Sequence, residues 1–255
     1  MGCFDGYLIC SDFDGTFFGG QDLSKNIEAI KYFTENGGRF TFATGRGAEF
    51  FKENDYIHLV NAPLCTYNGA AIYDIEKWEI IKTAYTDLTF KTLLDVIRPK
   101  QYLLQEIYLF DDVESCYNFK HLKNANEGFL NKKILKTVFT FKEAECATEF
   151  QNFVANHKTF KNCVVLKGWD TGVELNSNLG TKGAAALLIK DYLKDIHTVI
   201  GIGDFENDIP LVKMTDLGVA VGNATDSVKA VADKVIVPCE ESAIAYLIDN
   251  MQQLL

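Results

Sequence analysis

Nothing in this 255-residue sequence offers a nucleic acid or an anionic lipid surface a cationic partner. Lys and Arg number 25 against 35 Asp and Glu, a formal charge of −10, and the pair Lys132-Lys133 is too short to form a patch. Such a balance repels polyanions, so neither nucleic acid nor membrane is expected as a partner. No apolar stretch reaches the roughly 20 residues of a membrane span. No basic segment followed by an apolar run opens the chain. The seven cysteines are odd in number and include no Cys-x-x-Cys pair, which argues against a thiol metal site or a disulfide framework. Free thiols in a reducing compartment, and hence a cytoplasmic protein, are the expectation. No internal repeat and no low-complexity linker is visible. A site for an anionic substrate would need local positive charge, and a bound divalent cation would supply it.

Strand and helix signals alternate at both ends of the chain. Tyr7–Ser11 is apolar enough for a buried parallel strand. Ser24 precedes a helical pattern to Glu35, ended by Gly37-Gly38, and Arg39 to Ala43 reads as the next strand. Ala48 to Glu53 reads as a short helix, with short strands at Leu64 to Tyr67 and Ala70 to Tyr73. Lys182 to Leu193 places Ala185, Leu188, Ile189 and Tyr192 on one helix face. Thr198 to Ile202, Leu217 to Val221 and Lys234 to Val237 read as strands separated by helices, and a last helix carries Ile244, Leu247, Ile248 and Met251. This alternation predicts an α/β fold with a Rossmann-like, doubly wound parallel sheet. The middle lacks clean alternation and predicts an inserted α+β cap. The expected division is a core of residues 1–82 and 179–255 and a cap of residues 83–178.

Asp12-Phe13-Asp14-Gly15-Thr16 follows the first strand directly. Ligands of open parallel sheets sit beyond the carboxyl ends of the strands. Two carboxylates there can serve as nucleophile and general acid/base, with Gly15 allowing the bend; Asp-Gly is also a common turn pair. Thr44-Gly45-Arg46 ends the second strand and offers a hydroxyl and bare amides to a phosphate, or is simply a loop. Lys182 opens a helix, where a cation opposes the macrodipole; it either serves a buried anion or is a solvated surface lysine. Gly203-Asp204-Phe205-Glu206-Asn207-Asp208 follows the strand Thr198 to Ile202 and offers hard oxygen ligands of the kind Mg²⁺ takes. Asp208 binds metal through water, holds Lys182, or caps the next helix.

Taken together, DFDGT at Asp12 to Thr16, ATGR at Ala43 to Arg46, TKG at Thr181 to Gly183 and GDFEND at Gly203 to Asp208 resemble the four motifs of the haloacid dehalogenase-like phosphatases. GVAVGNA from Gly218 and VADKVI from Val231 resemble the Cof-type subfamily, whose large cap lies between the second and third motifs. The resemblance implies a Mg²⁺-dependent phosphatase acting on a small-molecule phosphate ester, with a sugar phosphate as first candidate and specificity set by the cap. A phosphomutase or a non-catalytic phosphate-binding regulator on the same scaffold is the alternative. It implies Asp12 as nucleophile, Asp14 as acid/base, and Thr44 and Lys182 as holders of phosphoryl oxygens. Asp12, Asp14, Asp204 and Asp208 form the implied metal set, with Gly45, Arg46, Asn68 and Asn207 around the phosphate. Arg46 reaches a substrate anion or pairs with an acidic neighbour. Asn68-Gly69 lies beside the site or is only a hairpin turn. In the cap, Trp169 and Asp170, flanked by glycines, suit a sugar or another polar ring, though a plain hairpin tip is the commoner use of such a sequence; His121 faces the site or is simply a surface histidine. Two segments depart from the family pattern, the one before Lys182 (NSNLGTKG) and Pro238 to Ala243 (PCEESA). Both are expected to shape the substrate mouth or loop packing without touching the catalytic groups. The chain is expected to act as a monomer or weak homo-oligomer.

Overall fold

The computed structural model describes residues 2–19, 22–120 and 130–255; His121 lies outside them. The chain opens with β1 (Tyr7–Ser11), α1 (Ser24–Glu35), β2 (Arg39–Phe42), α2 (Ala48–Lys52), β3 (Leu64–Thr66), β4 (Ala71–Asp74) and β5 (Glu79–Thr83). It continues through α3 (Phe90–Ile97), β6 (Leu104–Phe110), β7 (Cys116–Phe119), β8 (Lys136–Phe141), α4 (Ala144–Ala155), β9 (Cys163–Trp169) and β10 (Gly172–Ser177). It closes with α5 (Lys182–Leu193), β11 (Thr198–Gly203), α6 (Ile209–Met214), β12 (Leu217–Ala220), α7 (Asp226–Lys229), β13 (Lys234–Val235), α8 (Ala243–Asp249) and α9 (Met251–Leu254). Two compact units result, one of Met1–Lys82 with Lys182–Leu255 and one of Thr83–Thr181.

The first unit is built on a parallel sheet in the order β13-β12-β11-β1-β2. β1 pairs in parallel with β11 on one side and β2 on the other. The chain therefore leaves β1 in both directions across the sheet, and the crevice at such a reversal is where open α/β sheets hold ligands. Leu8, Ile9 and Cys10 of β1 are fully buried, as a central parallel strand requires. On one face Ala185, Ala186 and Ile189 of α5 pack with Leu8, Cys10 and Ala43. On the other, Phe13, Phe17, Phe42 and Phe51 interlock, with ring centroids 5.1 to 5.6 Å apart. Aromatic pairs at such distances add about 0.5–1.5 kcal/mol each beyond area burial. α1 packs against α8, and α5 against α6. The small sheet β3-β4-β5 completes the unit.

The second unit is an antiparallel sheet in the order β7-β6-β8-β10-β9. Its core combines Ile107, Leu109, Phe139, Phe141, Val173 and Leu175 from the strands with Leu93, Leu94 and Ile97 of α3 and Phe150 and Val154 of α4. The alternate residues of β8 and β10 include Lys136 and Glu174, a buried ion pair with 2.5 Å between Nζ and Oε1. Trp169 pairs with Gly172 across the β9–β10 hairpin, so Asp170 and Thr171 form its tip. All seven cysteines are free. Among the described residues no helix is long and apolar enough to cross a membrane.

Candidate active site

The site grows from the last residue of β1. The Asp12 N–H donates to the Ile202 carbonyl at 2.9 Å, extending the β1–β11 ladder by one residue and fixing the backbone from which Asp12 projects. Asp12 is 5% exposed. Gly15 then takes φ +83°, a left-handed bend open to glycine at little cost. A Cβ there would stand 2.4 Å from Asp204 Oδ2, so the bend brings the two acidic loops together as closely as a backbone can. Thr16 Oγ1 donates to Asp204 Oδ1 at 3.0 Å across the same gap.

Lys182, the first residue of α5, is fully enclosed. Its Nζ donates to Asp12 Oδ1 at 2.6 Å and to Asp208 Oδ1 at 2.5 Å. Gly183 makes this approach possible, since a Cβ on it would lie 2.1 Å from the Pro210 carbonyl oxygen of α6. The lysine that opposes its helix dipole is therefore held by two buried carboxylates. Burial disfavours its charge, but Asp12 and Asp208 outweigh burial and hold it protonated. Of the roles open to it Asp208 takes that of holding Lys182, while its side chain does not cap the helix that follows. Its second oxygen, Oδ2, accepts from the N–H groups of Asp204 and Phe205 at 2.9 and 3.1 Å, which shapes the turn after β11.

Asp12, Asp204 and Asp208 bring carboxylate oxygens within 4.8 Å of one another. Two of these three carboxylates, those of Asp12 and Asp208, bond the Lys182 ammonium. Burial, then the charge of Asp208, pushes Asp204 up to about 6. The same two causes push Asp12 above the usual carboxylate range, with Lys182 pulling back. An uncompensated cluster of hard oxygens is what a divalent cation such as Mg²⁺ neutralises, so the donor set fits that ion. The Asp14 side chain stands apart from this group. Arg46 Nε and Nη2 donate to its Oδ2 and Oδ1, each at 2.7 Å. Arg46 thus takes the acidic neighbour open to it in the sequence.

Thr44 is buried, and its Oγ1 accepts from the Arg46 N–H at 3.1 Å. Its carbonyl accepts from the Asn68 N–H at 2.8 Å. Asn68 sits in the β3–β4 connection with φ +61°, and its Oδ1 accepts from Asn207 Nδ2 at 3.3 Å. Asn68 is therefore both a turn residue and a neighbour of the acidic loop. Gly45 lies between Thr44 and Arg46 and is half-buried. Trp169 and Asp170 belong to the second unit, where Trp169 is exposed. Cys65 lies near Lys182 and Asp12, but burial pushes its thiol up to about 12, so it stays neutral and is no nucleophile at neutral pH.

Two participants escape a reading by motif. Thr16 is only the last letter of DFDGT, and its bond to Asp204 is not implied by that position. Asn223, inside GVAVGNA, donates from Nδ2 to the Gly15 carbonyl at 2.8 Å and accepts at Oδ1 from the Cys239 N–H at 2.8 Å. Through Asn223 the segment Pro238 to Ala243 takes part in the packing of this loop, one of the roles expected of it. That segment is one side chain removed from the loop carrying Asp12 and Asp14.

Comparison with known proteins assigns the chain a family. The model of the haloacid dehalogenase-like hydrolases matches residues 9–248. The chain is 25% identical over 260 residues to the 5-amino-6-(5-phospho-D-ribitylamino)uracil phosphatase YcsE of Bacillus subtilis, covering 94% of each. It is 25% identical over 244 residues to a phosphoglycolate phosphatase of Methanopyrus kandleri, covering 90% of each. Among solved structures, a Streptococcus mutans protein superposes with a TM-score of 0.80 at 21% identity, covering 96% of this chain and 98% of that one. A sugar phosphatase of subclass IIB superposes with a TM-score of 0.77 at 20% identity, covering 96% and 99%. The chain belongs to the haloacid dehalogenase-like hydrolase family.

Proposed function

We propose that the chain is a Mg²⁺-dependent phosphatase that transfers the phosphoryl group of a small metabolite first to Asp12 and then to water. The observation that carries this reading is the buried Lys182 ammonium, bonded to Asp12 and Asp208 beside Asp204. A carboxylate held against a fixed cation and facing a metal-competent cluster is poised to attack an electrophile that arrives with its own negative charge. Phosphoryl transfer asks a protein mainly for positioning and charge neutralisation.

In the first step an Asp12 carboxylate oxygen bonds to phosphorus as the bond from phosphorus to the leaving oxygen breaks. Asp14 gives its proton to that oxygen. In the second step water attacks phosphorus, Asp14 takes a proton from the water, and the bond to Asp12 breaks to release inorganic phosphate. The Thr44 hydroxyl, the Gly45 amide, Lys182 and Asn207 hold phosphoryl oxygens. Asp12 and Asp204 would hold the metal, with Asp14 and Asp208 in support. When bound, Mg²⁺ supplies positive charge at the phosphoryl oxygens.

Support for a substrate class comes from the relatives, whose names specify a phosphoribityl compound and phosphoglycolate, and from a fold neighbour described as a sugar phosphatase. A sugar phosphate or another small polyol phosphate is the proposed class. The second unit is proposed to set specificity, with Trp169 and Asp170 reading the non-phosphate part. Seven free thiols support work in a reducing, cytoplasmic setting. The test is phosphate release across a panel of sugar phosphates, nucleotides, pyridoxal phosphate and flavin mononucleotide, with Mg²⁺ and with chelator. Mg²⁺-dependent release from at least one is expected. Tight binding without release from any would overturn the reading in favour of a regulatory protein.

A further inference from the structure

The bond between Arg46 and Asp14 joins two loops 32 residues apart in sequence. Both hydrogen bonds are 2.7 Å long, and together they form the planar fork that arginine makes with a carboxylate. The guanidinium is constrained from its other faces as well. It lies 4.1 Å from the centroid of the Phe50 ring and 5.5 Å from that of Phe13. Phe13 is the residue between Asp12 and Asp14 and is 1% exposed. The Arg46 backbone is pinned on both sides, its N–H to Thr44 Oγ1 at 3.1 Å and its carbonyl by the Tyr67 N–H at 3.0 Å. Arg46 is thus more firmly built in than a surface arginine waiting for a ligand.

The side chains of Arg46 and Asp14 are 39% and 51% exposed. An exposed ion pair contributes little to stability, so folding energy alone does not account for a fork shelved on two rings. A carboxylate has about four acceptor positions on its two oxygens. The fork takes one on each, which fixes the plane of the carboxyl group while leaving a position on each oxygen for a proton.

We infer that Arg46 is a positioning residue that acts on the reaction through Asp14, orienting its carboxyl group for proton transfer to the leaving oxygen, and does not bind the transferred phosphoryl group. This rests on the reading of Asp14 as general acid/base. Its signature is dependence on the leaving group. An alkoxide leaves poorly without a proton, whereas a nitrophenolate leaves well, so loss of acid catalysis falls mainly on alkyl phosphates. A residue that grips the phosphoryl group affects both alike, because that group is common to both.

The experiment measures kcat/KM for an alkyl phosphate, the best sugar phosphate of the panel, and for p-nitrophenyl phosphate, in wild type, Asp14→Ala, Arg46→Ala, Arg46→Lys and the double variant Asp14→Ala with Arg46→Ala. General acid catalysis typically contributes about 10² to 10⁴-fold, so Asp14→Ala should lose on that order with the sugar phosphate and far less with the aryl ester. Arg46→Ala should lose about tenfold or more, with the same discrimination, and should lose nothing further in the Asp14→Ala background. Arg46→Lys, which keeps the charge but not the fork, should recover only part; it also carries the test if Arg46→Ala does not fold. Equal losses on both substrates, additive with Asp14→Ala, would overturn the inference and place Arg46 on the phosphoryl group. If Asp14→Ala itself shows no discrimination, the acid/base assignment fails, and the inference fails with it for a distinguishable reason.

Discussion

Lys182 Nζ and Asp12 Oδ1 are 2.6 Å apart, inside a side-chain environment that leaves the lysine no exposed surface. Asp208 Oδ1 takes the same ammonium at 2.5 Å. The pair therefore has two tasks, which are to keep Asp12 oriented and to offset a cluster of three carboxylates.

Replacing Lys182 by Met removes the cation and leaves Asp12 and Asp208 buried without it. Breaking a buried pair from one side costs about 3–5 kcal/mol. Urea unfolding of Lys182→Met without metal should show a loss of that order at neutral pH. Turnover should fall by at least about a hundredfold, the effect of removing one preorganised electrostatic contact. Full activity in a folded variant would contradict the role given to Lys182.

The pH dependence follows from Asp204. Its folded value of about 6 lies above the ordinary 3.8. Without metal the folded chain therefore binds this proton more tightly than the unfolded chain does. The resulting stabilisation is complete below about pH 4 and is lost as pH rises through about 6. On the proposed function Mg²⁺ would compete for the same oxygens, so its stabilising effect should grow in the opposite direction. The Tm increase on adding Mg²⁺ should be larger near pH 7.5 than near pH 5. An increase independent of pH would remove Asp204 from the metal set.

Gly15→Ala tests the approach of the two acidic loops. At φ +83° an alanine is strained by about 1–3 kcal/mol, and its Cβ would displace Asp204 Oδ2, 2.4 Å away. The expected result is a fall in Tm together with weaker Mg²⁺ activation, read as the metal concentration for half-maximal rate. Gly183→Ala, which strikes the α6 backbone instead, should cost stability and Lys182 placement.

Asn223→Ala removes the amide that ties the Gly15 carbonyl to the Cys239 N–H. Both bonds are to backbone and are partly solvent-accessible. A loss of about 1–2 kcal/mol is expected, with turnover reduced because the loop bearing Asp12 and Asp14 is no longer braced. Stability and kcat are both measured; a change in neither would mean that water replaces the amide.

Much of the fold can be read from local pattern. Tyr7–Ser11, Ser24–Glu35 and Lys182–Leu193 form where hydrophobic spacing puts them. β5 is harder to see because Glu79, Ile80 and Lys82 are exposed or half-exposed, so burial leaves little periodic trace. β7 is an edge strand, paired on one side only, and its apolar signal is correspondingly weak. The last helix keeps Ile244, Leu247, Ile248 and Met251 buried, yet it breaks at Asn250, a backbone event that hydrophobic spacing does not encode.

The site divides in the same way. Asp12, Thr44, Lys182 and Asp204 stand out because each sits where a strand ends or a helix begins. Lys182 adds its own signal by opposing the helix dipole. What spacing does not give is which acidic group each cation meets. Lys182 finds Asp12 across 170 residues, and Arg46 finds Asp14 across 32. Those pairings depend on sheet order and loop curvature.

The covalent role of Asp12 is tested most directly by trapping. The enzyme is mixed with a substrate carrying a radiolabelled phosphoryl group, quenched in acid during turnover, and digested for peptide mapping. The account predicts label on the peptide containing Asp12, released by water on a longer incubation, and neither label nor turnover in Asp12→Asn. Turnover persisting in Asp12→Asn, or label on any other residue, would contradict it.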